Sequence, residues 1–353
     1  KSYFMKKVRI LSIDGGGMRG IIPATVLSYV EKQLIEKTNN PNARLADFFD
    51  LIVGTSTGGI LSAFCLAPSS DSNSLKPISK FTAQDALSFY LEKGNEIFNQ
   101  SRRRNWLGIG YFFNAAKYNP KKIEHVLKTT FGNLKMKDLL KPCLLTTYEM
   151  KTRRAFFFNS RESKKENRDF FLTDVLRSTS AAPTYFPPAK IRNTATNQWM
   201  YNIDGGVFAN NPAMCAYAEA RKLKRDKSKT ITANDMLILS IGTGGGAFDL
   251  PAMNKSHRWG LINWAKAVPD IMMDGSIDTV HYQMKELFGT LPQDQQAQYL
   301  RIDFPDSMKK EYSRDMADAS AENIEALRKA GQKTLHHSRS ELDSFIKKLT
   351  NFN

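Results

Sequence analysis

Ser56 sits in Gly54-Thr55-Ser56-Thr57-Gly58, directly after the apolar run Leu51-Ile52-Val53. A serine flanked by glycines at a strand-to-helix turn can act as a nucleophile. The turn strains the backbone, exposes the hydroxyl and leaves no room for side chains at the flanking positions. At a helix start the dipole also favours negative charge developing on the oxygen. The spacing alone equally fits a solvent-exposed turn, because both residue types are common. A serine hydrolase needs three more things: a base, donors for an oxyanion and a pocket for the acyl group. The candidate donors are the backbone N–H groups of Gly15, Gly16, Gly17 and Met18, within Asp14-Gly15-Gly16-Gly17-Met18-Arg19-Gly20. Glycine tolerates the dihedrals that turn such groups into one concavity.

The base is the discriminating residue. An ordinary serine hydrolase presents Ser, then Asp or Glu, then His along the chain. The five histidines are His125, His257, His281, His336 and His337, each in or beside a helical stretch and not in a loop after a strand. Surface or core duty is expected of them. Asp204 instead ends a strand-like run and precedes Gly205 and Gly206, which permit a close approach to Ser56. A Ser56–Asp204 dyad fits better than a triad. Gly15, Gly17 and Gly20 also match the G-x-G-x-x-G spacing of dinucleotide sites. That fingerprint needs an acidic residue about twenty positions on at the end of a second strand, and Glu36 lies in a lysine-rich helix end.

The spacing of apolar residues predicts the elements that position this chemistry. Residues 8–13 read as a strand before the first glycine loop, and 21–35 as the helix after it; 51–53 lead into Ser56, and 57–66 continue as a helix. A helix over 82–98, a hairpin of 143–148 with 154–158, a helix over 171–177 and a strand over 199–203 follow. Asn210-Asn211-Pro212 starts a helix to 223, a buried strand spans 237–241, and Gly242-Thr243-Gly244-Gly245-Gly246 follows it. A long helix over 261–287, a strand over 299–302 and two helical segments complete the chain. Such alternation implies an α/β sheet with helices on both faces and its chemistry at the strand ends.

Composition bounds the class. With 353 residues, 41% hydrophobic and 24% charged, the chain buries a full core and is not disordered. One catalytic domain over 8–265, with a mostly helical extension over 266–353 packed on it, is expected. Lysine and arginine outnumber the acids by 51 to 35, a net charge of +16. An anionic membrane surface, a phosphate-bearing ligand and nucleic acid all fit that charge, as does a merely solvated basic surface. Arg102-Arg103-Arg104 with Trp106 and Tyr111, and Lys151 with Arg153 and Arg154, are the basic clusters able to meet an anion, or only water. Cys65, Cys143 and Cys215 are far apart and read as reduced, buried thiols. No run of eighteen apolar residues exists, and Arg9 and Asp14 interrupt the stretch a signal peptide needs after Lys6-Lys7, so a cytoplasmic location is expected. Neither a metal-ligand cluster nor a cofactor motif stands out, and no cofactor is expected.

Taken in order, Asp14-Gly15-Gly16-Gly17-Met18-Arg19-Gly20, Gly54-Thr55-Ser56-Thr57-Gly58-Gly59 and Asp204-Gly205-Gly206 resemble the patatin-like phospholipase family. Ala181-Ala182-Pro183-Thr184-Tyr185-Phe186-Pro187-Pro188, Asn210-Asn211-Pro212 and Leu239-Ser240-Ile241-Gly242-Thr243-Gly244 extend the likeness, which runs from residue 8 to about 265. The resemblance implies a three-layer α/β/α hydrolase with a central, mostly parallel sheet. It implies a phospholipase A type of activity on the fatty acyl esters of membrane glycerophospholipids, without a metal or calcium. Ser56 would attack the ester, Asp204 would take its proton directly, and the first glycine loop would hold the oxyanion. Arg19 would brace that loop or meet the lipid phosphate, and Gly20, Gly54, Gly58, Gly205 and Gly206 would support the motifs. Gly206 stands where plant patatins more often carry alanine, which leaves the role of the aspartate intact. The partners implied are membrane phospholipids and a peripheral, anionic membrane surface, not a nucleic acid polymer. The chain also resembles compact family members that serve as bacterial antiphage effectors switched on by cyclic dinucleotides. A cyclic dinucleotide activator held by Arg102, Arg103, Arg104, Arg153 or Arg154 is thus one expectation. A storage or lipid-binding protein with weak esterase activity is the alternative.

Overall fold

Continuous apolar runs mark strands that are covered on both faces, as in the parallel part of an α/β sheet. The computed structural model describes residues 7–69, 77–98, 116–164, 167–223, 230–245, 260–308 and 310–351. The strands are β1 (Val8–Ile13), β2 (Leu51–Gly54), β3 (Cys143–Glu149), β4 (Arg154–Asn159), β5 (Ala189–Arg192), β6 (Trp199–Asp204), β7 (Met236–Ile241) and β8 (Tyr299–Ile302). They form an eight-stranded sheet in the order β5-β6-β3-β2-β1-β7-β8, with β4 also paired to β3. The pairs β3–β2, β2–β1, β1–β7 and β7–β8 are parallel, whereas β4, β5 and β6 run antiparallel to their neighbours.

The helices up to the site are α1 (Ile21–Thr38), α2 (Leu45–Phe48), α3 (Thr57–Leu66), α4 (Ala83–Phe98), α5 (Pro120–Phe131) and α6 (Leu172–Thr179). Beyond it come α7 (Gly206–Ala209), α8 (Ala213–Ala220), α9 (Leu261–Gly289), α10 (Gln293–Gln296), α11 (Ala321–His337) and α12 (Arg339–Thr350). Alternation along the central strands divides the core in two. Leu11, Ile13, Leu237, Leu239 and Ile241 face the layer containing α1, α3, α4 and α11, while Val8, Ile10, Met236 and Ile238 face α8 and α9. The architecture is the three-layer α/β/α arrangement around a mostly parallel sheet. Segment 266–353 is woven into it: β8 pairs with β7, and α11 packs along α1. Among the described residues, no helix is long and apolar enough to cross a membrane.

One detail of the pairing positions the chemistry. β4 occupies one edge of β3 from Leu144 to Glu149, so β2 and β6 must share the other. Running parallel, β2 ends with Gly54 opposite Leu145; running antiparallel, β6 ends with Asp204 opposite Thr147. Two strands thus approach each other end to end along one edge of β3. The residues just past Gly54 and the last residue of β6 are forced together at that junction.

Candidate active site

Ser56 occupies the turn between β2 and α3 with φ 54° and ψ −121°. A positive φ in a residue with a side chain is strained, on the order of 1–3 kcal/mol, and persists only where the surroundings impose it. Here they do. The Ser56 N–H donates to Thr179 Oγ1 at 2.9 Å, Thr55 Oγ1 lies 2.7 Å from Thr146 Oγ1 and donates to the Ala209 carbonyl at 2.6 Å. The turn also needs its flanking glycines: a Cβ on Gly58 would collide with the Ile13 carbonyl, and one on Gly54 with the Gly58 carbonyl. Ser56 is 8% exposed and opens onto a cleft.

The first glycine loop is pinned from three directions. Gly15 N–H donates to Asn210 O at 3.1 Å, Thr243 Oγ1 donates to Gly15 O at 2.7 Å, and Met18 N–H donates to Met316 O at 2.7 Å. These bonds correct the expected donor set. The N–H groups of Gly15 and Met18 are already spent on carbonyls, so Gly16 and Gly17 are left, with no acceptor among the described residues. Gly17 holds φ +59°, and it lines the same cleft as Ser56. Arg19 is buried, and its Nε approaches Gly16 O at 3.5 Å, a bracing position under the loop. Gly20 packs against Thr57.

Asp14 opens that loop fully buried, and Arg301 of β8 meets it with both nitrogens, at 2.9 Å to Oδ1 and 2.6 Å to Oδ2. Arg301 also reaches Ser240 Oγ at 3.0 Å and Asp303 at 2.5 Å. Burial pushes the Asp14 carboxyl up to about 6 against the pull of Arg301, which leaves it ionised at neutral pH. Burial opposes the charge on Arg301, but Asp14 and Asp303 outweigh it and raise its pKa.

Asp204 is also buried, and among the described residues no cation faces it. Oδ1 accepts the Gly206 N–H at 2.7 Å, and Oδ2 has no aligned hydrogen-bond partner among the described residues. Burial pushes the carboxyl up to about 7, and the nearby Ser56 hydroxyl and the Gly206 N–H hold it from going higher. Gly205 passes against Thr146 at the strand junction, where a Cβ would clash. None of the described histidines lines the cleft. His125, His336 and His337 are exposed, and His281 Nδ1 is 3.2 Å from the Tyr299 hydroxyl.

The cleft spans about 530 Å³, part of it open to solvent. Ile60, Phe89, Ile97, Ile123, Phe186 and Ala317 give it apolar walls, and Ser56 lies in its lining. Arg153 and Arg154 do not line it; both are exposed, Arg153 in the turn between β3 and β4 and Arg154 as the first residue of β4. Arg102, Arg103, Arg104, Trp106, Tyr111, Gly246 and His257 lie outside the described residues.

The family model described as "Patatin-like phospholipase" matches residues 11–217, a span that holds Ser56, the first glycine loop and Asp204. The chain belongs to the patatin-like phospholipase family. Patatin-like protein 2 of Oryza sativa subsp. indica is 33% identical, over 96% of this chain and 86% of that protein. Patatin-2-Kuras 3 of Solanum tuberosum is 34% identical, over 93% of this chain and 83% of its own length. A relative from Arabidopsis thaliana called probable inactive patatin-like protein 9 is 36% identical, over 80% and 72% respectively. Among solved structures, VipD from Legionella pneumophila aligns with 96% of this chain and 67% of its own, at a TM-score of 0.39 and 12% identity.

Several residues that hold this patatin-like site escape motif reading. Thr179 and Arg301 lie far along the chain from the residues they hold. For Arg301 a signal existed. An arginine inside a short strand of otherwise apolar or aromatic residues needs a buried anion, and Asp14 is one.

Proposed function

We propose that this protein is a lipid acyl hydrolase of the phospholipase A type, acting on fatty acyl esters of membrane glycerophospholipids. The observation that carries the reading is the pairing of Ser56 with a buried aspartate whose pKa is about 7. A general base works best when its pKa is near the working pH, and a carboxylate in contact with water would be far too weak. Ser56 Oγ forms the bond to the ester carbon while its proton moves to Asp204 Oδ2. The carbonyl oxygen takes the negative charge and is met by the N–H groups of Gly16 and Gly17. Collapse of that intermediate breaks the bond to the glycerol oxygen, which leaves with the proton from Asp204. Water then repeats the sequence on the acyl-serine, releasing the fatty acid. The apolar cleft takes the acyl chain, and Arg19 braces the loop from beneath.

The name of the Arabidopsis thaliana relative, probable inactive patatin-like protein 9, raises the second reading: a storage or lipid-binding protein with weak esterase activity. One experiment separates the two. Hydrolysis of phospholipid vesicles is followed together with fluorophosphonate labelling, in the parent and in Ser56→Ala. The hydrolase reading expects labelling and fatty acid release in the parent and neither in the variant. A parent that binds lipid but takes no label would support the storage reading.

A further inference from the structure

The outward face of β5 and β6 carries residues that ester hydrolysis does not use. The register sets Lys190 opposite Tyr201 and Arg192 opposite Trp199. Side chains alternate along a strand, so these four share one face, while Ala189, Ile191 and Asn202 are buried on the other. Helix α6 covers the buried face, where Asn202 Nδ2 donates to Ser178 Oγ at 3.2 Å. The outward face is open: Trp199 is 50% exposed and Tyr201 41%.

Lys190 Nζ stands 4.7 Å from the Trp199 ring centre and Arg192 Cζ 5.7 Å from it. Neither cation has a carboxylate partner among the described residues. Met150, 44% exposed, donates its N–H to Tyr201 O at 2.8 Å, and the exposed Lys151 and Arg153 follow it in the turn. Buried Glu149 ties turn and strand together: Oε1 accepts from Lys151 N at 3.1 Å and Tyr201 N at 3.4 Å, and Oε2 from Thr152 N at 2.6 Å. The result is a fixed platform of exposed aromatic rings among unneutralised cations. It reaches the site at one end, where β5 starts just after Phe186 of the cleft wall and its antiparallel partner β6 ends at Asp204.

We propose that this platform is the surface by which the protein docks on an anionic phospholipid bilayer. Tryptophan and tyrosine settle at the headgroup level of a membrane, with one apolar and one polar side each satisfied. Lysine and arginine beside them meet the negative surface potential. Exposed rings flanked by cations also fit single-stranded nucleic acid. The cleft beside this platform is lined by apolar side chains, which suits a lipid and not a polynucleotide. The choice of a lipid occupant rests on the hydrolase reading, so the test measures binding apart from turnover.

Binding of the Ser56→Ala protein to phosphatidylcholine vesicles, with and without phosphatidylserine, is measured by co-sedimentation. Lys190→Ala/Arg192→Ala is expected to weaken binding to the anionic vesicles roughly thirtyfold. Trp199→Ala/Tyr201→Ala is expected to weaken it at both compositions. In the otherwise unaltered protein, brominated lipid should quench tryptophan fluorescence, and Trp199→Phe should remove part of that quenching. Both double variants, made with Ser56 intact, should hydrolyse a soluble short-chain ester as the parent does, which excludes a folding defect. Unchanged vesicle binding in both double variants overturns the proposal. So does an oligonucleotide that binds the platform while vesicles bind the variants as before. Platform-dependent binding by a protein that hydrolyses no ester would leave the platform standing and sink only the hydrolase reading.

Discussion

Asp14-Gly15-Gly16 and Asp204-Gly205-Gly206 are the same tripeptide at two strand ends, and both aspartates are almost wholly buried, at 0% and 2% exposure. Their surroundings differ in one respect. Arg301 grips Asp14 with two hydrogen bonds, whereas Asp204 faces a serine hydroxyl and a backbone N–H. Burial raises both carboxyls, but the buried guanidinium occupies both oxygens of Asp14 and holds it nearer 6, as a structural anchor. A carboxylate desolvated without a cation becomes a proton acceptor near neutrality. What stands opposite the carboxylate, not the tripeptide, divides the roles.

Removing the unpaired carboxylate should have the largest effect. Asp204→Asn is expected to lower kcat about 10²- to 10⁴-fold, because an amide cannot take the Ser56 proton. Stability should move the other way. The folded pKa of Asp204 is raised from an ordinary value of 3.8 to about 7. Its contribution is therefore complete below pH 3.8 and lost as pH rises through about 7. Asp204→Asn should consequently melt at a higher temperature than the parent at pH 8, and the advantage should vanish at acid pH. An inactive variant that is also less stable at pH 8 would contradict the desolvation account.

The paired carboxylate should respond in the opposite sense. Arg301→Met leaves Asp14 buried without its cation, and breaking such a pair typically costs about 3–5 kcal/mol. Asp14→Asn added to Arg301→Met should restore part of that loss, since it removes the stranded charge. Urea denaturation of the two variants measures both. If the double variant is no more stable than Arg301→Met, Asp14 is not the partner that matters.

A milder perturbation is pH itself. With Asp204 as base, kcat/KM should rise with pH through one ionisation near 7 and fall about tenfold per unit below it. Every single histidine variant should keep that midpoint. A midpoint that moves with one histidine would turn the dyad into a triad.

The comparison also marks what could be read from the chain alone. The strand over 8–13 and the elbow helix over 57–66 are marked by local apolar runs beside glycines, and the strand over 299–302 by its β-forming residues; the structure places all three there. β5 was not legible. Its four residues follow two prolines and acquire strand character only by pairing with β6. The donor set was half legible for a similar reason. Glycine marks where an N–H can turn, but Asn210 and Met316, distant in sequence, decide that Gly15 and Met18 are occupied. That Ser56 and Asp204 meet depends on β2 and β6 sharing one edge of β3, a fact of pairing and not of motif.

The smallest expected effect tests how the strained serine is held. The Ser56 N–H is buried and donates to Thr179 Oγ1 at 2.9 Å, a bond from the end of α6 to the turn. Thr179→Val keeps the shape and removes the acceptor, so a buried donor is stranded at a cost of about 1–3 kcal/mol. The turn can recover that energy only by relaxing its positive φ, which would draw the hydroxyl away from Asp204. The loss should therefore fall on kcat, with KM for a short-chain ester little changed. Thr179→Ser keeps the oxygen and should recover most of the rate. If valine and serine behave alike, the methyl group and not the hydrogen bond holds the turn, and the strain at Ser56 is maintained by the glycine contacts alone.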